Sequence, residues 1–274
     1  MRKFLVAFVA VVALCTLADC SAGKSPQASS SDGSEPKASD YVEAPYLIAA
    51  NRLGATSVSL TGRARADAIV RLSSPEGQSW GMTAGSTGDW SFTIPVTDQP
   101  RMLSLTAENA GRSVHAEGAL ILLPTPAITA VVARVGYGAI AVATRVDRPV
   151  IVALDYDSGG GAMVSGLARP GAAIKLLFDG VLEGEARADS AGRFTASAVK
   201  QPLSPGDHVV RVETADGAAQ LATRVAPTSA LRDKVYLAQR QSDGWRLDWR
   251  SGEHAVQSTV IFDSAQQLLE ASHK

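Results

Sequence analysis

One strand-and-turn pattern occurs twice in this 274-residue chain, 104 residues apart. The first copy reads Val58-Ser59-Leu60-Thr61-Gly62-Arg63 and continues through Ala68-Ile69-Val70-Arg71-Leu72. The second reads Met163-Val164-Ser165-Gly166-Leu167 and continues through Ala173-Ile174-Lys175-Leu176. Gly62 aligns with Gly166, and Gly88-Asp89-Trp90-Ser91-Phe92 aligns with Gly192-Arg193-Phe194-Thr195-Ala196. Self-similarity at a fixed spacing means that the two copies fold alike, and a unit of this length can bury its own apolar interior.

The elements between these landmarks read as β-hairpins. Ile69, Val70 and Leu72, like Ile174, Leu176 and Leu177, suit strands, and Asp179-Gly180 is a tight-turn dipeptide. Ser190-Ala191-Gly192 and Pro205-Gly206-Asp207 mark two more turns, the latter before the alternating run His208-Val209-Val210-Arg211-Val212-Glu213. The chain holds 24 Gly and 13 Pro, and its turns recur about every ten residues. This predicts an all-β protein of tandem β-sandwich units. The run from Gly166 to Pro170-Gly171-Ala172, the Asp179-Gly180 turn, Asp189-Ser190-Ala191-Gly192-Arg193-Phe194 and Pro202-Leu203 to Gly206-Asp207-His208 resemble bacterial immunoglobulin-like repeats. Such repeats occur in surface adhesins and lysin-motif-linked envelope proteins, as spacers, binding modules and assembly parts. The resemblance implies an immunoglobulin-like sandwich for each copy; copy one lacks the Pro-Gly after its Gly62.

The intervening segments show the same spacing. Val131 to Val135, the Gly136-Tyr137-Gly138 turn and Val150 to Ser158 parallel Val235-Tyr236-Leu237, Asp243-Gly244-Trp245 and Thr259 to Ser264. Each unit is therefore expected to be an Ig-like β domain plus a β-rich extension, over 43–158 and 162–264. Gly159-Gly160-Gly161 is the expected linker, and 265–274 the C-terminal tail.

Upstream, Met1-Arg2-Lys3 is a positive n-region and Phe4 to Leu17 an uncharged apolar stretch, too short to span a membrane. Residues 1–19 read as a secretion signal. Leu17-Ala18-Asp19-Cys20 resembles the lipobox of bacterial lipoproteins, in which the Cys becomes the first mature residue and carries acyl chains such as palmitate. Asp19 departs from the small uncharged residue usual there, and ordinary signal cleavage beside a chance Cys is the alternative. Residues 20–42, rich in Ser, Pro, Gly and Lys, then form a flexible tether. Ser21 after the Cys implies outer-membrane sorting by resemblance to enterobacterial lipoproteins. The expected location is lipid-anchored at the outer membrane, facing periplasm or cell surface, or released.

Composition narrows the function classes. A net charge of −1 offers no basic surface to track nucleic acid. The two cysteines, Cys15 and Cys20, both lie at the N-terminus, so the folded part has no disulfide and no Cys-based zinc site. His115, His208, His254 and His273 lack metal-ligand spacing. Ala84-Gly85-Ser86-Thr87-Gly88 feeds a strand rather than the helix of a serine nucleophile elbow. Asp155 to Gly159 starts like a calcium loop, but the twelfth position is Gly166 instead of Glu. No catalytic residue, metal or cofactor is expected.

The candidate binding residues are aromatic and basic. Trp245 and Trp249 flank Leu247, with Arg246, Asp248 and Arg250 between and after them. In a strand the apolar three share one face and the charged three the other. That apolar face reads either as a platform for a sugar or protein, or as core. Trp80 has no aromatic counterpart in copy two and reads as exposed, whereas Trp90 aligns with Phe194 as a shared core position. The expected function is a non-catalytic envelope lipoprotein that docks a protein of the envelope or a secretion assembly. A glycan- or peptidoglycan-binding protein is the alternative.

Overall fold

The computed structural model describes residues 43–125, 128–142, 146–253 and 255–263. The expected leader, Cys20, the tether, the C-terminal tail, His254 and His273 lie outside them. All regular elements among the described residues are strands. The first ten are β1 (Tyr46–Leu53), β2 (Ser57–Arg63), β3 (Ile69–Ser73), β4 (Ser79–Thr83), β5 (Asp89–Pro95), β6 (Arg101–Asn109), β7 (Arg112–His115), β8 (Ala119–Leu122), β9 (Ala130–Arg134) and β10 (Gly138–Ala141). The remainder are β11 (Val150–Asp157), β12 (Ala162–Leu167), β13 (Ala173–Phe178), β14 (Val181–Arg187), β15 (Arg193–Ala198), β16 (Gly206–Thr214), β17 (Gly217–Val225), β18 (Tyr236–Arg240), β19 (Gly244–Arg250) and β20 (Val256–Phe262).

Four antiparallel sheets result. Sheet 1 has the order β1-β2-β5, and sheet 2 the order β10-β9-β8-β6-β3-β4 with β7 also paired to β6. Sheet 3 runs β15-β12-β11-β20-β19-β18, and sheet 4 runs β14-β13-β16-β17. The repeat is visible in this order: β1-β2-β5 matches β11-β12-β15, and β4-β3-β6-β7 matches β14-β13-β16-β17. In both copies the first strand carries a bulge at the same place, between Leu47 and Ala49 and between Ile151 and Ala153.

The aligned glycines are explained by contact. A Cβ on Gly62 would lie 2.1 Å from the Tyr46 carbonyl oxygen and 2.2 Å from the Trp90 ring. A Cβ on Gly166 would lie 2.1 Å from the Val150 oxygen and 2.6 Å from the Phe194 ring. The bulged first strand and the aromatic of the third both need that space. Gly88 and Gly192 take φ of +85° and +82°, and a Cβ there would strike the Ala64 and Ala168 oxygens.

Three apolar cores separate the four sheets. Val58, Leu60, Trp90 and Ile94 of sheet 1 meet Val70, Leu72, Leu103 and Leu105 of sheet 2. Ile151, Leu154, Val164 and Phe194 of sheet 3 meet Ile174, Leu176, Val210 and Val212 of sheet 4. The third core lies between sheets 2 and 3, where Ile121, Val131, Ala133 and Ala139 meet Val152, Leu167, Leu247, Trp249 and Ile261. Sheet 3 is consequently buried on both faces. Every residue of β11 before Asp157 is buried, which accounts for the near-continuous apolar run Val150-Ile151-Val152-Ala153-Leu154.

This arrangement corrects the expected boundaries. Gly159-Gly160-Gly161 is a hairpin turn rather than a linker, since β11 pairs with β12 across it. Val150–Asp157 is therefore the opening strand of the second copy, matching Tyr46–Leu53 of the first, and the division at 158–162 cuts through one sheet. The two extensions also differ in attachment. β9 adds to β8 in sheet 2, whereas β18 and β19 join sheet 3 through β20, which pairs with β11. The hydrophobic pattern of the two hairpins is similar, but their partners are not.

Candidate functional site

The strand β19 places its side chains as its alternation demands. Trp245, Leu247 and Trp249 face the core between sheets 2 and 3, and Trp249 is only 4% exposed. Its indole Nε1 donates to Thr259 Oγ1 at 3.0 Å. The aromatic-platform reading of Trp249 is thus overturned: it is a core residue with its polar atom satisfied. Trp245 is half-buried under the Arg240 guanidinium, 5.4 Å from the ring centroid, and Arg240 is itself paired with Asp263.

On the opposite face, Arg246 and Asp248 are buried as well, at 3% and 0% exposure. Arg246 Nε donates to Asp248 Oδ1 at 2.9 Å, and its Nη2 donates to the Pro227 carbonyl at 2.7 Å. Ser258 Oγ donates to Asp248 Oδ1 and the Ser229 amide to Asp248 Oδ2. The guanidinium also lies 5.6 Å from the Tyr156 ring centroid, and burial raises the Tyr156 pKa. These bonds hold the segment after β17 across sheet 3. A buried ion pair of this kind is costly to break, because the surviving partner would be left charged and dry. Arg246 is therefore a positioning residue of the fold. Arg250 is exposed, and it donates to the backbone carbonyls of Lys234 and Arg232.

Trp80 lies half-buried on β4, beside the core between sheets 1 and 2, with the Arg101 guanidinium 5.1 Å from its ring. Arg101 is held by Gln78 Oε1 and the Pro95 carbonyl. Trp80 and the Trp245–Trp249 pair thus pack against different cores.

A groove of about 590 Å³ opens beside the β11–β12 turn, lined by Asp155, Asp157, Gly161, Met163, Ser197 and Gln257 among others. Asp155 is fully buried there, and burial pushes its pKa up to about 6 against the pull of three hydrogen bonds. Those donors are the Ala139 amide at 2.8 Å, Gln257 Nε2 at 3.0 Å and Thr259 Oγ1 at 2.5 Å. One carboxylate thus ties β10 of sheet 2 to β11 and β20 of sheet 3. Asp157 is occupied in its own turn, accepting from the Gly159 and Gly161 amides at 2.7 and 3.2 Å. Among the described residues, no cluster of three or more His, Cys, Asp or Glu side chains is placed to hold a metal ion.

His208 bridges two acceptors, Asp179 Oδ2 through Nδ1 and the Ser204 carbonyl through Nε2, each at 2.8 Å. Burial alone would lower its pKa, but Asp179 and the Ser204 carbonyl outweigh it and raise the value. This fixes the Asp179-Gly180 turn against β16. His115 is exposed on β7.

The largest difference from the sequence reading is β1. Three of its side chains are exposed apolar groups, Tyr46, Ile48 and Leu53 at 45, 54 and 47%. The sequence signal was available: stepping 104 residues back from β11 leads to Tyr46–Leu53, upstream of the motif that defines the repeat.

No family model and no curated protein matches this chain. Among solved structures, it is similar to the BSP domain of a biofilm-associated protein at 15% identity and a TM-score of 0.24, covering 70% of this chain and 31% of that one. It is also similar to the human OSCAR ligand-binding domain at 15% identity and a TM-score of 0.23, covering 68% of this chain and 100% of that one. A chain from a 1.5-MDa bacterial ice-binding adhesin aligns at 15% identity and a TM-score of 0.19, over 61% of this chain and 55% of that one. This chain thus spans about a third of the biofilm protein's chain and about half of the adhesin's. Superpositions at these scores leave the fold to be defined by the strand pairing itself: two tandem antiparallel β-sandwiches.

Proposed function

We propose that this protein is a non-catalytic binding module of the cell envelope, anchored at the outer membrane through lipid on Cys20 and docking a protein partner through its β body. The observation that carries the reading is how the body uses its buried polar groups. Asp155, Arg246, Asp248 and Glu183 are bonded to neighbouring strands and loops, where they fix one segment against another. Three exposed apolar groups, Tyr46, Ile48 and Leu53, lie with open backbone along the edge strand β1, the kind of surface that recognises polypeptide. The leader, the Leu17-Ala18-Asp19-Cys20 motif and the Ser/Pro-rich stretch after it support the anchored placement.

Intact-mass analysis of the mature protein tests the anchor. The expected mass is that of a chain starting at an acylated Cys20, lost in Cys20→Ser; an unmodified N-terminus elsewhere would overturn it. Cross-linking in intact envelopes tests the docking role. One protein should be recovered in proportion to the bait and be lost when the β body is unfolded by mutation. The glycan reading has lost Trp249, and titration with cell-wall fragments is expected to leave tryptophan fluorescence unchanged.

A further inference from the structure

We propose that the free edge of β1 is the interface through which two copies of this chain pair, β1 against β1, in a two-fold antiparallel arrangement. It shares with the docking reading the open edge of β1, and it names a second copy as the occupant of that edge.

The first ground is the internal comparison. In the second copy, β11 is flanked on both sides, by β12 and by β20, with Ala153 to Asp157 pairing with Ile261 to Gln257. The matching strand β1 has β2 on one side, and no hydrogen bond among the described residues reaches its other side. The matched bulge residues differ for a separate reason: Val152 is buried in the core between sheets 2 and 3, whereas Ile48 is 54% exposed. A neighbouring strand fits beside this type of strand, because one already does so in the same molecule.

The second ground is that, its bulge apart, β1 has little of the usual protection of an edge. Edges are blunted by Pro, by Lys, by inward charges or by shortness. Over eight residues, Tyr46-Leu47-Ile48-Ala49-Ala50-Asn51-Arg52-Leu53, β1 has no Pro and no Lys, and its one charge is Arg52. Arg52 is turned to the Leu123 and Pro124 carbonyls. By contrast, the other edge of sheet 1, β5, ends in Pro95 and begins at Asp89.

The third ground selects a second copy as occupant. Because of the bulge, exposure along β1 reads the same in both directions about Ala49–Ala50. Antiparallel self-pairing sets Tyr46 against Leu53, Leu47 against Arg52, the bulged Ile48-Ala49 against Asn51, and Ala50 against its own copy at the axis. Exposed residues then meet exposed residues on one face, no like charges oppose, and a small side chain sits at the axis. A two-fold interface requires such self-complementarity.

Sedimentation equilibrium on the purified full chain, over a wide concentration range, tests the pairing. A monomer–dimer equilibrium is expected, and a monomer at every concentration would overturn the proposal. Ile48→Lys changes a side chain that is already exposed, and it should weaken the dimer by about ten-fold or more. A dimer that persists unchanged in Ile48→Lys would assign the interface elsewhere. Hydrogen exchange distinguishes the edges. Protection of β1 amides should rise with concentration while that of the β17 edge stays constant; the reverse would overturn the assignment.

Discussion

The two copies of the repeat share strand order, bulge and signature glycines, yet they live in different surroundings. In the first copy, sheet 1 packs on one side only, and its opening strand β1 is an edge. In the second, sheet 3 is covered on both faces, and its opening strand β11 lies inside the sheet. Two matched pairs show the effect, Ile48 and Val152, and Asn51 and Asp155, while Gly62 and Gly166 are buried alike. The first member of the first two pairs meets solvent and the second is buried. The comparison teaches that a repeat fixes the local pleat, while neighbours decide how much each matched residue contributes.

The largest expected contrast is at the signature glycines. Gly166→Ala forces a Cβ onto the Val150 oxygen in a strand clamped from both sides, and it should cost more than about 3 kcal/mol. Gly62→Ala makes the same clash, but β1 can yield toward solvent, so its cost should be smaller by about 1–2 kcal/mol. Denaturant unfolding of the two variants measures the gap, and equal costs would break the comparison.

Next is Asp155. Its removal in Asp155→Ala leaves three buried donors unpaired, and about 3 kcal/mol should be lost, against less than about 0.5 kcal/mol for Asn51→Ala. The pH dependence sharpens this. The folded pKa of about 6 lies above the ordinary 3.8, so the folded state favours the protonated acid. Its contribution is full below about pH 4 and declines as pH rises through about 6, by about 3 kcal/mol in all. The stability of wild type relative to Asp155→Asn should fall over that window, and a flat difference would contradict the buried environment.

Val152→Ala should cost about 2 kcal/mol and Ile48→Ala about 0.5 kcal/mol or less, as judged by thermal unfolding. The smallest effect concerns a device present in one copy only. His208 and Asp179 correspond to Ser104 and Pro75 in the first copy. The raised His208 pKa means that its contribution is present below the ordinary value of 6.5 and is lost as pH rises through the folded value. His208→Gln should destabilise by about 1 kcal/mol or less on the acid side and by less still on the alkaline side. An NMR titration of the ring protons reads the shift directly.

Much of the fold was legible because its determinants are local. Gly62 and Gly166 admit a close backbone, Gly88 and Gly192 turn through positive φ, and Trp90 and Phe194 fill the space above the first pair. Such features write themselves into fixed spacings. The candidate site was less legible. The alternation of β19 gave the two faces correctly, but alternation states only that two faces differ. It could not say that the charged face of Arg246 and Asp248 is also buried, because that depends on Pro227, Ser229 and Ser258 arriving from elsewhere.

The sequence by itself determined the all-β class, the 104-residue repeat and the core role of Trp90, since periodicity and steric demand act over a few neighbouring residues. Only the tertiary structure decided that Gly159-Gly160-Gly161 closes a hairpin, that β20 flanks β11, and that β1 has no second neighbour among the described residues. Strand pairing across 100 residues is set by which sheets stack and what they bury. No local pattern records that, so two strands of like pattern became an interior strand and an edge.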